Sequence, residues 1–217
     1  MELDLSNFDV KLSDDINSWE EVNLLYNSAL KQIQTKIEIL NEEFQEVHRY
    51  NPIEHVKSRV KAPESIVKKL KRNGYESTIE NMVRYVNDIA GIRIICSFTS
   101  DIYRIAEMIS NQKDIQVLTV KDYIMNPKQS GYRSYHMIVS LPVYLSDRIV
   151  NVKVEIQIRT VAMDFWASLE HKIQYKFEGK APQHINSELF ECASMVANLD
   201  EKMLQLNDEI LAVEAGE

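Results

Sequence analysis

Two carboxylates, and the cations around them, are the residues of this chain best suited to chemistry. Asp88 stands in Asn87-Asp88-Ile89-Ala90-Gly91, at the mouth of a predicted strand, and Glu155 lies inside another, Val150–Arg159. If those strands are neighbours, the pair can hold a hard divalent cation such as Mg²⁺ on oxygen ligands completed by phosphates. Arg59, Lys61, Lys69, Arg93, Lys121, Lys128 and Arg133 supply positive charge along the chain. Acids for a metal, bases for phosphates and an aromatic for a nucleobase make up the equipment of phosphoryl-type transfer. No Walker A sequence, GxGxxG loop or kinase loop set is present. The residues alone therefore imply a nucleotide-handling α/β protein and no particular reaction.

The element that must position Glu155 alternates without a slip. In Val150–Arg159, Val150, Val152, Val154, Ile156 and Ile158 point one way, and Asn151, Lys153, Glu155, Gln157 and Arg159 the other. The polar side is either an ordinary solvated face or the base of a site, and alternation alone allows both. Upstream, Ser18 and Glu21 fit a capping box opening a long helix with an apolar stripe from Val22 to Val47, stopped near Asn51-Pro52. Lys57, Arg59, Lys61, Lys68, Lys69, Lys71 and Arg72 crowd the next segment, where Pro63–Arg72 reads as a short helix. Ser65 and Lys69 share a face of it, with Lys61 just before its start. This is either an anion site or a solvated lysine-rich face.

A strand over Ile92–Phe98, a helix from Ser100 to about Asn111, and strands over Ile115–Val120 and Ser134–Val143 follow, with a polar loop at Asn126–Arg133. Thr160 is expected to cap an amphipathic helix with Ala162, Phe165, Trp166, Leu169 and Ile173 inward. After a Gly179–Pro182 loop, a last helix from about Asn186 to Leu211 carries a stripe of Leu189, Cys192, Val196, Leu199, Met203, Leu206 and Ile210. The layout predicts an α/β (α+β) fold, a mixed sheet with helices packed on it and long helices at both ends.

At 217 residues the chain is expected to form one domain, with a loose lead-in over residues 1–17. A net charge of −8 argues against general affinity for nucleic acid or anionic membranes, so the basic segment is a local feature whose natural partner is a polyanion. No apolar run is long enough for a membrane span, and no secretory signal opens the chain, which predicts a cytoplasmic protein. Cys96 and Cys192 lie in apolar patterns and are expected to be buried free thiols.

Four blocks in order, RVKAPESIVKKL (Arg59–Leu70), DIAGIRII (Asp88–Ile95), KDYIMNPKQSGYRSYH (Lys121–His136) and VEIQIRT (Val154–Thr160) followed by WASLEHKIQYK, give the chain its family likeness. It resembles the synthetase domain of the RelA/SpoT family, and more narrowly the small, single-domain alarmone synthetases, over roughly residues 20–210. The resemblance implies a nucleotidyltransferase-like mixed sheet. It divides the chain into an N-terminal helix (18–51), a catalytic core (52–178) and a C-terminal helix (186–211).

The implied reaction moves the β,γ-pyrophosphate of ATP to the ribose 3′-hydroxyl of GTP or GDP, giving pppGpp or ppGpp and AMP. Asp88 and Glu155 would hold Mg²⁺, and Glu155 would orient or deprotonate the 3′-hydroxyl. Arg59 and Arg93 would sandwich the adenine, and Lys61, Ser65 and Lys69 would hold the ATP phosphates. Tyr132 would stack on guanine with Lys121, Lys128 and His136 around the acceptor phosphates, while Gln157 and the backbone near Ala167 are further acceptor contacts. Many relatives carry Asn where this chain has Ser130, which puts its guanine selectivity in question. The chain has no His-Asp dipeptide of the kind the family's hydrolase domains use, so synthesis without hydrolysis is expected. The resemblance also implies a homotetramer, with RNA or product binding open. The competing expectation is a catalytically silent nucleotide or RNA sensor on the same fold.

Overall fold

In the computed structural model, which describes residues 18–47, 49–177 and 181–214, five strands form one sheet in the order β1-β2-β5-β4-β3. They are β1 (Ile53–Val60), β2 (Ala90–Cys96), β3 (Gln116–Asp122), β4 (Tyr135–Tyr144) and β5 (Ile149–Thr160). β2 and β5 run parallel at the centre, and the other neighbouring pairs are antiparallel. The alternation in β5 is realised as expected. Val152, Val154, Ile156 and Ile158 are buried beside Ile92 and Ile94 of β2 and Met137, Val139 and Leu141 of β4.

Helix α1 (Trp19–Val47) covers that apolar face, with Leu25, Ala29, Ile33 and Ile37 in the core. Each buried leucine or isoleucine among them contributes about 1.5–3 kcal/mol. Ser18 opens α1 as the sequence predicts, its hydroxyl accepting from the Glu21 amide at 3.2 Å. Helix α4 (Thr99–Ser110) packs into the same core through Ile102, Ile105, Ala106 and Ile109. The remaining helices are α2 (Pro63–Arg72), α3 (Ile79–Tyr85), α5 (Val161–Lys176) and α6 (Gln183–Glu214). None of the helices among the described residues is long and apolar enough to cross a membrane.

Several expectations need correction. α1 ends at Val47 rather than near Tyr50, and Arg49 turns the chain with φ 52°. β1 and α3 were not foreseen. β1 is exposed at His55, Lys57, Ser58 and Arg59, so it lacks the apolar alternation that marks a half-buried strand. On α5 the buried residues are Met163, Trp166 and Ala167, while Phe165 and Leu169 are exposed. The stripe on α6 is covered at its start, where Leu189 and Val196 pack with Ala193 against Trp166, and uncovered beyond, with Leu199, Met203, Leu206 and Ile210 exposed. Cys96 is a buried free thiol as expected, whereas Cys192 is exposed. The lead-in over residues 1–17 and the start of the Gly179–Pro182 loop lie outside the described residues.

Candidate active site

The other face of the sheet gathers the chemistry. Strand register sets two rows across all five strands. One runs Lys57, Arg93, Gln157, His136 and Lys121, and the next Arg59, Gly91, Glu155, Ile138 and Thr119. Residues opposite one another on neighbouring strands share a face, so six residues expected from sequence (Arg59, Arg93, Lys121, His136, Glu155 and Gln157) come together from five separate strands. On that face Glu155 and Gln157 of β5 are half-buried among side chains from the other strands.

Asp88 sits just before β2, near enough to Glu155 for its charge to act on that carboxyl. Lys61, whose amide donates to the Ile89 carbonyl at 2.7 Å, follows β1, and Lys69 lies on α2. Both lysines reach the same carboxylate: Lys61 Nζ pairs with Asp88 Oδ2, and Lys69 Nζ stands 2.7 Å from Oδ1. Burial pushes the Asp88 carboxyl up, but the hydrogen bonds and charges of the two lysines outweigh it and hold it below the usual carboxylate range. Glu155 goes the other way. Burial and the Asp88 charge raise it, against a hydrogen bond from Gln157 Nε2 to Oε2 at 2.9 Å. Two carboxylates close enough to feel each other thus have opposite electrostatic characters. Ser65 is exposed on α2 with Lys69, and Lys68, Lys71 and Arg72 face outward.

On the other side of Glu155, the Tyr132 hydroxyl accepts from Arg159 Nη2 at 2.6 Å and lies 2.8 Å from His136 Nε2. Its single proton is then free for Nε2, which leaves His136 neutral with its proton on Nδ1. Burial, with the charges of Arg159, Lys128, Lys121 and Arg93, pulls the His136 pKa down to about 3. The 3.8 Å approach of His136 Nδ1 to Glu155 Oε1 is accordingly not an ion pair at neutral pH. Lys128 Nζ lies 4.6 Å from the Tyr132 ring centre and 4.7 Å from that of Tyr123.

The loop carrying Tyr132 is pinned from the C-terminal side. Gly131 has φ +85°, and a Cβ there would lie 2.5 Å from Cβ of Ala193 on α6. Trp166, Ala167 and Ala193 form a small cluster against which Tyr132 packs. Ala167 is therefore buried beneath the loop rather than on the polar rows.

Sequence reading missed Asp164, Ser134 and the use of Arg159. Arg159 is buried, and its guanidinium reaches Asp164, Tyr132, Gln157 and Ser134. The available signal was its place on the same face of β5 as Glu155 and Gln157. Asp164 gave less, because its partners become neighbours only through the fold.

A model of the region found in RelA and SpoT proteins matches residues 58–180. The chain is 48% identical over 210 residues to GTP pyrophosphokinase YwaC of Bacillus subtilis, covering 97% of this chain and 100% of that protein. The crystal structure of small alarmone synthetase 2 from Bacillus subtilis superposes with a TM-score of 0.81 at 48% identity, covering 89% of this chain and 100% of the other. That of small alarmone synthetase 1 from the same organism, bound to its product pppGpp, gives 0.83 at 36% identity, covering 89% and 98%.

Proposed function

The chain belongs to the RelA/SpoT family and is a GTP pyrophosphokinase, and we propose that its polar sheet face moves the β,γ-pyrophosphate of ATP onto the 3′-hydroxyl of GTP or GDP. The 3′-oxygen attacks the β-phosphorus, the bond from that phosphorus to the α,β-bridging oxygen breaks, AMP leaves, and the hydroxyl proton passes to Glu155. The observation that carries this reading is the approach of Asp88 to Glu155 at the middle of a sheet face that also carries Arg59, Lys57, Arg93 and Lys121. No feature of the site favours a silent sensor.

The donor set fits a hard cation. Two carboxylates stand together, and no cluster of three or more metal-ligating side chains occurs among the described residues. That suits Mg²⁺, which uses one or two carboxylates and takes its other ligands from water and phosphates. Asp88 and Glu155 would hold it, and when bound it supplies charge neutralisation to the phosphates in transfer. Lys61 and Lys69 now neutralise Asp88, and the ATP phosphates are the competing anion for them, with the Ser65 hydroxyl on the same helix face.

Arg59 and Arg93 sandwich the adenine. They are diagonal neighbours on an antiparallel pair, about 7–8 Å apart, which accommodates a flat ring in van der Waals contact of about 3.5 Å on each side. Gly91 lies opposite Arg59 and beside Glu155 with nothing within 4 Å of where its Cβ would be. Gly91→Val is accordingly expected to leave the melting temperature intact while filling the ATP position. It should lower kcat/KM for ATP by about tenfold or more, the effect of about 1.4 kcal/mol, as read by initial rates with circular-dichroism melts. On the acceptor side Tyr132 stacks on guanine after Lys128 leaves its ring, with Lys121, Lys128 and His136 near the phosphates. Gln157 makes a further contact, whereas Ala167, buried inside α5, makes none.

The deciding experiment incubates the protein with ATP, Mg²⁺ and GTP or GDP and resolves products by anion exchange. A guanosine nucleotide two phosphates longer, equimolar with AMP, is expected. AMP without it, or no AMP from folded protein, overturns the reading.

The uncovered stripe of α6 is the surface on which further copies pack to give a cytoplasmic homotetramer, since exposed apolar patches of this kind mark interfaces. Met203→Glu with Leu206→Glu should reduce the mass seen by light scattering. A monomeric wild type would remove the argument.

A further inference from the structure

Arg93 on the ATP side and Arg159 under the acceptor loop share one carboxylate oxygen. Asp164 Oδ1 lies 3.1 Å from Arg93 Nη1 and 2.9 Å from Arg159 Nη1. Asp164 stands in the first turn of α5, where the helix N-terminus favours a negative charge. Its backbone is held firmly. Thr160 caps the helix by accepting from the Met163 amide at 3.1 Å, and its hydroxyl donates to Asp200 of α6 at 2.7 Å. Arg159, with a side chain only 5% exposed, needs a counter-charge there. Arg93 Nε is buried without a hydrogen-bond partner, so the pairing to Asp164 is what orients that guanidinium.

From Asp164 the contacts run outward in two directions. One goes through Arg93 to the adenine position. The other goes through Arg159, whose Nη2 donates to the Tyr132 hydroxyl and to Gln157 Oε1 at 3.1 Å, and Gln157 in turn holds Glu155. Resting on the proposed function above, we propose that Asp164 is a positioning residue that sets both substrate subsites at once, fixing Arg93 for ATP and, through Arg159, Tyr132 and Gln157 for the acceptor. It touches neither substrate. Without its charge the two guanidiniums repel each other and lose their common anchor.

Asp164→Asn keeps the shape and removes the charge. Its kcat/KM should fall by a similar factor, about tenfold or more, for ATP and for GTP, the loss that about 1.4 kcal/mol gives. Asp164→Glu should recover part of both. Arg59→Ala, acting on one side, should raise the KM for ATP with little change in that for GTP. The controls are the melting temperature and binding of a non-hydrolysable ATP analogue by calorimetry, which should weaken in Asp164→Asn without any turnover. Wild-type constants in Asp164→Asn, a loss confined to one substrate, or a loss explained wholly by unfolding with normal constants for the folded fraction would each overturn the proposal. Absence of a guanosine product from the wild type would instead overturn the reading on which it rests, and the two failures are told apart by that control.

Discussion

Glu155→Gln should eliminate product formation and yet give a protein that melts at a higher temperature at neutral pH. The activity loss follows from its place beside Asp88 at the centre of the rows. A positioned general base contributes on the order of 10²–10⁴-fold, and the same carboxylate is one of the two proposed metal ligands. The stability gain follows from the sign of its pKa shift. Burial, then the Asp88 charge, raise Glu155, so the folded state prefers the neutral carboxyl. Its favourable contribution is present below the ordinary carboxylate range and is lost as pH rises through the raised value. At neutral pH the charged side chain burdens the fold, and an amide relieves it. A gain of about 1 kcal/mol would raise the melting temperature by about 2–4 °C in a chain of this length. Melts in chelator at pH 7.5 and near pH 4 (about the ordinary glutamate pKa) check this, because the gain should shrink in acid. The same shift places the acid limb of kcat/KM for the wild type above the ordinary glutamate range. A Glu155→Gln protein that retains activity or melts lower at neutral pH contradicts this account.

Asp88→Asn should be equally inactive and change stability in the opposite direction. Its carboxyl is held below the usual range, because the bonds and charges of Lys61 and Lys69 overcome the effect of burial. Stability from this group is therefore present above the ordinary carboxylate range and lost as pH falls through the depressed value. The amide removes the one carboxylate that both ammonium groups contact directly, their side chains only 17% and 27% exposed, and leaves them the more distant Glu155. A loss on the order of 1–3 kcal/mol is expected, several degrees in melting temperature, at neutral pH. Two inactive variants of neighbouring carboxylates that melt on opposite sides of the wild type would be hard to obtain from any arrangement other than this one. Equal shifts in both would refute it.

The parts of this architecture that were legible in the sequence are those where one physical signal dominated. Strict alternation made β5 readable to within a residue at each end, and Thr160 announced the cap of α5. Pro63 and Asn73-Gly74 bracketed α2. β1 stayed hidden because Glu54 and Ser58 interrupt the face that Val56 and Val60 share, so the strand lacks the unbroken apolar alternation that marks β5. The stripes of α5 and α6 were visible, but a stripe does not say whether its cover comes from the same chain. Asp164 was out of reach of any local reading. Its meaning lies in Arg93, far away in sequence, brought to it by the parallel pairing of β2 with β5.

The contact between Gly131 and Ala193 ties together two positions that are far apart along the chain. Both sit at the lower limit of side-chain volume, and neither can grow unless the other segment retreats. Drift at residue 193 towards Val or Leu would have to be accompanied by a shift of α6 or a redrawn acceptor loop. The C-terminal helix therefore sets the evolutionary tolerance of a loop that it meets at one of its smallest side chains. Among relatives with a glycine at position 131, residue 193 should vary only among the smallest side chains, even where the rest of α6 has diverged.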